Sequence, residues 1–245
     1  MPRFFVDVSI EPGDVLTLPD EVARHVQVLR LKAGDPIVLF NGRGGQYIAR
    51  LAEVGRRNAL AEIGEFSPID LEPPYRITLA QGVAGGDKMD WLIEKAVELG
   101  AMRFVPLVTV RSVVRLTGER AARRQTHWQA LVAAACEQCG RNRVPEVDAP
   151  GELAQWLDGL PPAAPGELRL VLSPRACRSF DTLPSTAPNG GTTLLIGPEG
   201  GLSPEEEEAA IGHGFEALAL GPRVLRTETA GIAVLAALAS RWGGW

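Results

Sequence analysis

Two glycine- and proline-containing turns near the C-terminal end of the chain have residue types that can bind a ligand. The first lies in IGPEGGLSPEEEE (residues 196–208) and follows an apolar run that begins at Thr192. The second lies in LGPRVLRTETAG (residues 220–231) and follows the apolar run 215–220. Each turn leads into a helical pattern, and glycine lets the backbone approach a ligand closely. Because such turns converge when they leave neighbouring parallel strands, the pair predicts one ligand cleft.

The first turn leads into a helix start that is rich in acidic residues. Ser203, Pro204 and Glu206 have the spacing of an N-cap, a first and a third helical residue, which predicts a capping box. The glutamates at 205–208 favour the helix dipole but repel phosphate. The turn therefore favours a neutral or positive ligand, although short glycine motifs also occur in turns that bind nothing.

The second turn places a cation where a helix dipole prefers an anion. Arg226 lies directly before a predicted helix whose N-cap is Thr227. One interpretation is that Arg226 contacts a substrate oxygen or phosphate. The other is a structural salt bridge to Glu199 or Glu228, and the sequence leaves both open.

A basic island, defined as residues 103–143, stands out in an acidic protein. The chain has a net charge of −5 and a pI near 5.4. The island nevertheless contains eight arginines against two glutamates, Glu119 and Glu137. Such a cluster indicates either a phosphate-binding surface or a solvated arginine-rich face.

Periodicity predicts two domains, at residues 1–70 and 71–245. The first has short strands at 4–6, 15–18, 36–40, 46–54 and 58–64, with one helix at 20–30 capped by Asp20, which is typical of a small barrel. A proline-containing linker follows at 67–74. Strands then alternate with helices, so the second domain is predicted to be α/β with a mainly parallel sheet. Its strands are predicted at 75–80, 103–110, 144–147, 168–173, 192–196 and 215–220, and its helices at 87–99, 119–139 and 152–157.

Composition excludes several other classes of protein. No apolar run reaches membrane-spanning length and the N-terminus has no targeting pattern, so a cytoplasmic location is expected. Three cysteines do not suggest a disulfide framework, and Cys136 and Cys139 fall on an apolar helical stripe as buried thiols. The scattered histidines predict no metal site.

Five ordered motifs between residues 75 and 240 together resemble the 16S ribosomal RNA uridine N3-methyltransferase family. The motifs are KMDWLIEKAVELGA (88–101), RSVV (111–114), EQCGRNRVPEV (137–147), LLIGPEGGLSPEE (194–206) and LGPRVLRTETA (220–230). The N-terminal part is similar to that family's PUA-like β-barrel. The resemblance implies a SPOUT-type α/β fold with a deep trefoil knot, a last helix at about 227–242 and a homodimer formed through the knotted domain.

The same resemblance implies the cofactor S-adenosylmethionine, which carries a sulfonium cation and no phosphate. The residues expected to bind it are Leu172, Ser173, Ile196, Gly197, Pro198, Gly200, Gly201, Leu220, Gly221, Val224, Leu225, Arg226, Thr229 and Ala230.

Methylation of uracil N3 requires proton removal and stabilisation of charge on the flanking carbonyl oxygens. Arg226 is predicted to stabilise that charge and Glu199 to accept the proton, with Glu228 as a weaker alternative.

The expected partner is 16S rRNA in the small ribosomal subunit. The predicted RNA contacts are Arg3, Arg24, Arg30, Arg43, Arg111, Arg115, Arg141 and Arg143. Two alternatives stay open at this point: a related knotted enzyme that acts on another RNA position, and a ribosome-assembly factor that binds RNA without catalysis.

Overall fold

The computed structural model describes residues 1–245, which divide into two compact units. Unit 1 comprises Met1–Glu72 and Ala133–Val144, and unit 2 comprises Pro73–Val132 and Pro145–Trp245. The division after Glu72 lies close to the predicted boundary at residue 70. The assignment of residues 133–144 to unit 1 was not predicted. The division falls between Val132 and Ala133, inside the helical pattern 119–139, where no turn residue or change of composition marks it.

Unit 1 is built on a five-stranded sheet with the order β1-β3-β4-β5-β2. Its strands are β1 (Arg3–Phe5), β2 (Val15–Thr17), β3 (Pro36–Phe40), β4 (Gln46–Val54) and β5 (Ala59–Ser67). The β1–β3 pair is parallel and the other pairs are antiparallel. The three-residue strands β1 and β2 form the two edges of the sheet, so the predicted barrel is open between them.

Helix α1 (Asp20–Val28) buries Val22, Ala23 and Val26 in the core of unit 1. The prediction that Asp20 is its N-cap was wrong. Pro19 takes that position and Asp20 is the first helical residue, where its carboxylate still favours the helix dipole.

Unit 2 contains a seven-stranded parallel sheet whose main path has the order β12-β10-β11-β6-β7-β8, while β9 pairs with β7. The strands are β6 (Ile77–Gly82), β7 (Arg103–Val108), β8 (Glu146–Val147), β9 (Gly151–Glu152), β10 (Leu168–Leu172), β11 (Thr192–Ile196) and β12 (Glu216–Leu218). The central strands are almost continuously buried, as strands covered on both faces must be. The predicted parallel α/β architecture is confirmed.

Helices cover this sheet. They are α2 (Lys88–Glu98), α3 (Gly118–Cys139), α4 (Leu153–Asp158), α5 (Pro204–Gly212) and α6 (Thr227–Trp242), and a short 3-10 helix spans Phe180–Thr182. Helix α2 packs on α6, and α4 packs on α5 over one apolar cluster of the sheet. Helix α3 contributes residues to both units. None of the helices is both long and apolar enough to span a membrane.

The cysteines of α3 lie largely as predicted. Cys136 is buried and Cys139 is partly buried, and neither forms a disulfide. Burial raises the pKa of the Cys136 thiol to about 12, so this thiol is held in its protonated, unreactive form.

Candidate functional site

A cleft of about 220 Å³ lies where β10, β11 and β12 end. These three strands are neighbours in the sheet and run parallel, so the turns that follow them meet at one edge. That edge is the usual ligand site of an open parallel sheet. The cleft is lined by Leu172, Ser173, Pro174, Ile196, Gly197, Pro198, Glu199, Gly200, Gly201, Leu218, Leu220, Gly221, Arg223, Val224, Leu225, Thr227 and Ala230.

The predicted cofactor-binding residues therefore come together, with two exceptions. Arg226 and Thr229 line a neighbouring groove instead of the cleft. Pro174, Leu218, Arg223 and Thr227 also line the cleft and were not predicted to bind a ligand. The one signal in the sequence that could have identified these four residues is their position, since each is next to, or within two residues of, a residue that was predicted.

The first cleft turn is compact because it has no side chains at its tightest points. A Cβ atom on Gly197 would lie 2.6 Å from the Leu202 nitrogen. Gly201 has a φ of +69°, a left-handed conformation that other residues rarely adopt. The capping box confirms the predicted helix start, since the Glu206 amide donates to Ser203 Oγ at 3.2 Å and the Ser203 amide donates to Glu206 Oε2 at 2.8 Å.

Arg111 braces the same turn from outside. Its Nη1 donates to the carbonyls of Gly200 at 3.0 Å and Leu202 at 3.2 Å. A residue that the sequence predicted as a phosphate contact thus uses one guanidinium nitrogen to hold the cleft.

The start of α6 is tied to the first turn by a buried hydroxyl. Thr227 Oγ1 donates to the Gly197 carbonyl at 2.6 Å and accepts from Gln81 Nε2 at 2.8 Å. The prediction that Thr227 is the N-cap was wrong. Arg226 occupies the cap position without a side-chain cap, while the Thr227 hydroxyl points to the other turn.

The Glu199 carboxylate is committed to local contacts. Its Oε1 accepts from Lys88 Nζ at 2.8 Å and from the Gly85 amide at 2.9 Å. Burial alone would raise the pKa of Glu199, but the hydrogen bonds from Lys88 and the backbone outweigh it and hold the pKa below the usual 4.5. These contacts suit Glu199 to holding the first cleft turn against Lys88 and Gly85 better than to accepting a proton from a substrate.

We expect the contribution of Glu199 to stability to depend on pH. Because its folded-state pKa is lowered, this contribution is present above the ordinary pKa and is lost as pH falls through the folded-state value. Glu199→Gln should lower the free energy of unfolding by about 0.5 kcal/mol near neutral pH, since the pair is partly exposed.

Urea unfolding at about pH 7 and about pH 3 measures this effect, and the difference from wild type should be smaller at the lower pH. Glu208→Gln is the control, since it changes an exposed glutamate of the following helix, α5, that forms no ion pair. An acid-independent difference would contradict the assignment.

Arg226 extends into the groove beside the cleft. The groove is lined by Asp87, Lys88, Trp91, Arg226, Glu228 and Thr229. The Arg226 side chain is exposed and forms neither the salt bridge to Glu199 nor the one to Glu228 that the sequence left open. Oε2 of Glu228 is buried without a hydrogen-bond partner. The groove therefore combines an uncommitted guanidinium with a carboxylate that has an unused oxygen.

The cleft itself has little charge. Glu199 and Arg223 are its charged lining residues, and the remaining lining is apolar or backbone. It has neither the lysine nor the cluster of cations that a triphosphate requires. A ligand with an apolar ring system, hydrogen-bonding edges and a single cationic centre fits this surface.

The predicted RNA contacts are not equally accessible. Arg24, Arg30, Arg43, Arg111, Arg115 and Arg143 are exposed, and Arg3 is partly buried and donates to Gly140, Arg141 and Asn142 of unit 1. The prediction for Arg141 needs correction. It is only 3% exposed and its guanidinium pairs with Glu72, so it holds unit 1 together and has no surface for a phosphate.

Several charges of the basic island are neutralised within the protein. Arg103 pairs with Asp148, Arg123 with Glu119, Arg124 with Asp90 and Arg143 with Asp70. The positive potential is therefore weaker than the sequence suggested.

Comparison with known proteins agrees with this architecture. Residues 71–239 match the RNA methyltransferase domain family, and residues 18–64 match the RNA methyltransferase PUA domain. The chain is similar to proteins named ribosomal RNA small subunit methyltransferase E. The Bacillus subtilis protein is 31% identical over 97% of this chain and 96% of its own, and a Buchnera aphidicola protein is 32% identical over 99% and 97%.

A solved structure shows the same fold. The Neisseria gonorrhoeae ribosomal RNA small subunit methyltransferase E, bound to S-adenosyl methionine, is 39% identical to this chain and superimposes with a TM-score of 0.90. The match covers 99% of this chain and 98% of the other.

Proposed function

Because the chain belongs to the RNA methyltransferase family, we propose that it uses S-adenosylmethionine to methylate N3 of a uridine in the 16S rRNA of the small ribosomal subunit. The relatives in Bacillus subtilis and Buchnera aphidicola carry a small-subunit rRNA methyltransferase name, and the Neisseria gonorrhoeae structure contains the cofactor. The observation that carries the proposal is the cleft at the ends of β10, β11 and β12.

The cleft suits this cofactor on chemical grounds. Apolar residues such as Leu172, Ile196 and Leu225 can cover an adenine ring, and the glycine turns expose backbone groups that can read its edge. The nearby Glu199 and the glutamates of α5 are compatible with a cation and unfavourable for phosphate. When bound, S-adenosylmethionine supplies an electrophilic methyl group.

The residues of this chain have three tasks: to align the uracil ring, to accept the N3 proton and to stabilise charge on the carbonyl oxygens. Arg226 suits the third task, since its guanidinium is uncommitted and offers paired donors. Glu199 was the sequence-based candidate for the proton acceptor. Its contacts with Lys88 and Gly85 favour Glu228 for that role, since Glu228 lines the Arg226 groove and one of its carboxylate oxygens has no hydrogen-bond partner.

RNA binding is assigned to the exposed arginines of both units, with Arg141 excluded. Arg24, Arg30 and Arg43 belong to unit 1, which contains the region matched by the PUA domain. Homodimerisation, the trefoil knot and the cytoplasmic location stay predictions from the sequence.

The decisive experiment is methylation in vitro. The purified protein and S-adenosylmethionine are incubated with small ribosomal subunits, and in parallel with naked 16S rRNA, before mass spectrometry maps the modified base. A single new N3-methyluridine supports the proposal. A methyl group at another position indicates a related enzyme with a different target. A protein that binds RNA but gives no calorimetric signal with S-adenosylmethionine is an assembly factor.

The unit 1 arginines should make RNA affinity dependent on salt. If Arg24, Arg30 and Arg43 each neutralise one phosphate, replacing all three with glutamine lowers the slope of log affinity against log salt by about 2. Filter binding across a salt series measures the slope.

The matched control replaces Arg50, Arg56 and Arg57 with glutamine. These arginines are also exposed in unit 1 and are not predicted RNA contacts. Equal slopes for both triple variants would show that net charge alone, and not the predicted surface, governs binding.

A further inference from the structure

Gln81 forms a buried hydrogen-bond cluster behind the cleft. It lies in β6, is 0% exposed and does not line the cleft. Its Nε2 is 2.8 Å from Thr227 Oγ1, 2.9 Å from the Gly82 carbonyl and 3.3 Å from the Gly197 carbonyl. One side-chain amide thus contacts the end of β6, the first cleft turn and the start of α6.

The direction of each hydrogen bond follows from the available protons. The Thr227 hydroxyl has a single hydrogen, and it donates this to the Gly197 carbonyl. Oγ1 can then only accept, so Gln81 must present its nitrogen. A flipped amide would place its oxygen against two carbonyls and the Thr227 oxygen without a proton between them. The cluster therefore has one satisfactory arrangement.

Gln81 is an unfavourable choice for stability alone. Its Oε1 is buried and has no hydrogen-bond partner. A buried acceptor without a partner loses its hydration and gains nothing in return. An apolar side chain of similar length would avoid that loss, so the benefit of the glutamine must lie in the groups that its nitrogen holds.

Those groups fix one peptide bond of the cleft. The Gly197 carbonyl belongs to the peptide that joins Gly197 to Pro198, and both residues line the cleft. The backbone at the end of β6 also packs closely against this peptide, since a Cβ atom on Gly82 would lie 2.5 Å from the Pro198 nitrogen. With the carbonyl held towards Gln81 and Thr227, the turn has a fixed orientation relative to the start of α6.

We propose that Gln81 and Thr227 are positioning residues that hold the Gly197–Pro198 peptide in the orientation that cofactor binding requires. This inference rests on the proposed function, because it takes S-adenosylmethionine as the ligand of the cleft. Gln81 acts only through the turn. Thr227 also lines the cleft, and its hydroxyl is occupied by the same cluster.

Calorimetric titration with S-adenosylmethionine and thermal unfolding of the full chain test the proposal together. Gln81→Met removes the donor and the orphan acceptor, and Thr227→Val removes the hydroxyl at nearly constant volume. Each should raise the Kd for the cofactor about 10-fold, the effect of losing one positioning hydrogen bond. Thr227→Ser keeps the hydroxyl and should restore the Kd to within about twofold of wild type. The melting temperature of Gln81→Met should stay close to that of wild type.

Thr192→Val is the matched control. Thr192 is a buried threonine at the opposite end of β11, so its change alters the sheet without altering the turn. Its Kd should equal that of wild type.

Three results would overturn the proposal. Wild-type affinity in Gln81→Met does so, and this variant decides the matter if Thr227→Val does not fold. An increase in Kd for Thr192→Val equal to that of the other variants does so too, because it indicates general loosening. A wild-type protein that binds no S-adenosylmethionine refutes the proposed function itself, and the positioning role with it.

Discussion

Replacing Arg226 with alanine is expected to lower the methylation rate by about 100-fold or more while cofactor affinity changes little. A guanidinium that stabilises developing charge acts in the transition state, and loss of such a donor costs roughly 3 kcal/mol or more. The Arg226 side chain lies in the groove beside the cleft, so its removal leaves the cleft lining intact. Single-turnover methylation of small ribosomal subunits gives the rate, and calorimetry gives the affinity.

Arg226→Lys is the matched variant for this prediction. Lysine keeps the charge but not the paired, planar donors, so it should restore only part of the rate. The carbonyl of Arg226 accepts the Ala230 amide in either variant, so the start of α6 is preserved. A folded Arg226→Ala protein with an undiminished rate would remove Arg226 from the mechanism.

Gly197→Ala should raise the Kd for S-adenosylmethionine by about 100-fold, equivalent to about 2.7 kcal/mol. A Cβ atom at this position would lie 2.6 Å from the Leu202 nitrogen and 2.7 Å from the Gly201 carbonyl carbon. Both are backbone atoms and neither can move without opening the turn. Because the turn forms one wall of the cleft, the strain appears as lost affinity, which calorimetry measures.

Gly212→Ala is the control for a glycine-to-alanine change. Gly212 is the last residue of α5, and a Cβ atom there would meet no atom within 4 Å. Since alanine has the higher helix propensity, this variant should bind the cofactor normally and be as stable as wild type or more so. Normal binding by Gly197→Ala would show that the turn is not part of the cofactor site.

The two turns of the cleft could be predicted because glycine, proline and a capping box mark such turns locally. Strands at residues 36–40, 46–54 and 192–196 have the predicted bounds for a similar reason, since each is an apolar or alternating run between turn residues. Strand β12 is shorter than predicted because Ala219 forms only an isolated bridge with Ser179 and Leu220 already lines the cleft.

The supports of the site could not be predicted in this way. Gln81 is 116 residues from Gly197 and 146 from Thr227, and Arg111 is 89 residues from Gly200. Nothing in the local sequence around a glutamine or an arginine reveals a partner at such distances. The same limit explains the wrong prediction for Arg141. Its pairing with Glu72 forms only when the chain folds, so the sequence alone indicated an exposed cation.

The division of residues between the units bears on how such a protein can be cut or recombined. Unit 1 is not one continuous segment of the chain, because its last part, 133–144, lies between the two segments of unit 2 in the sequence. A fragment ending at Glu72 would lack Arg141, the partner of the Glu72 carboxylate, and Glu137, which accepts from the Phe5 amide. Exchange of unit 1 between relatives therefore requires two separated replacements, one at the N-terminus and one at the end of α3.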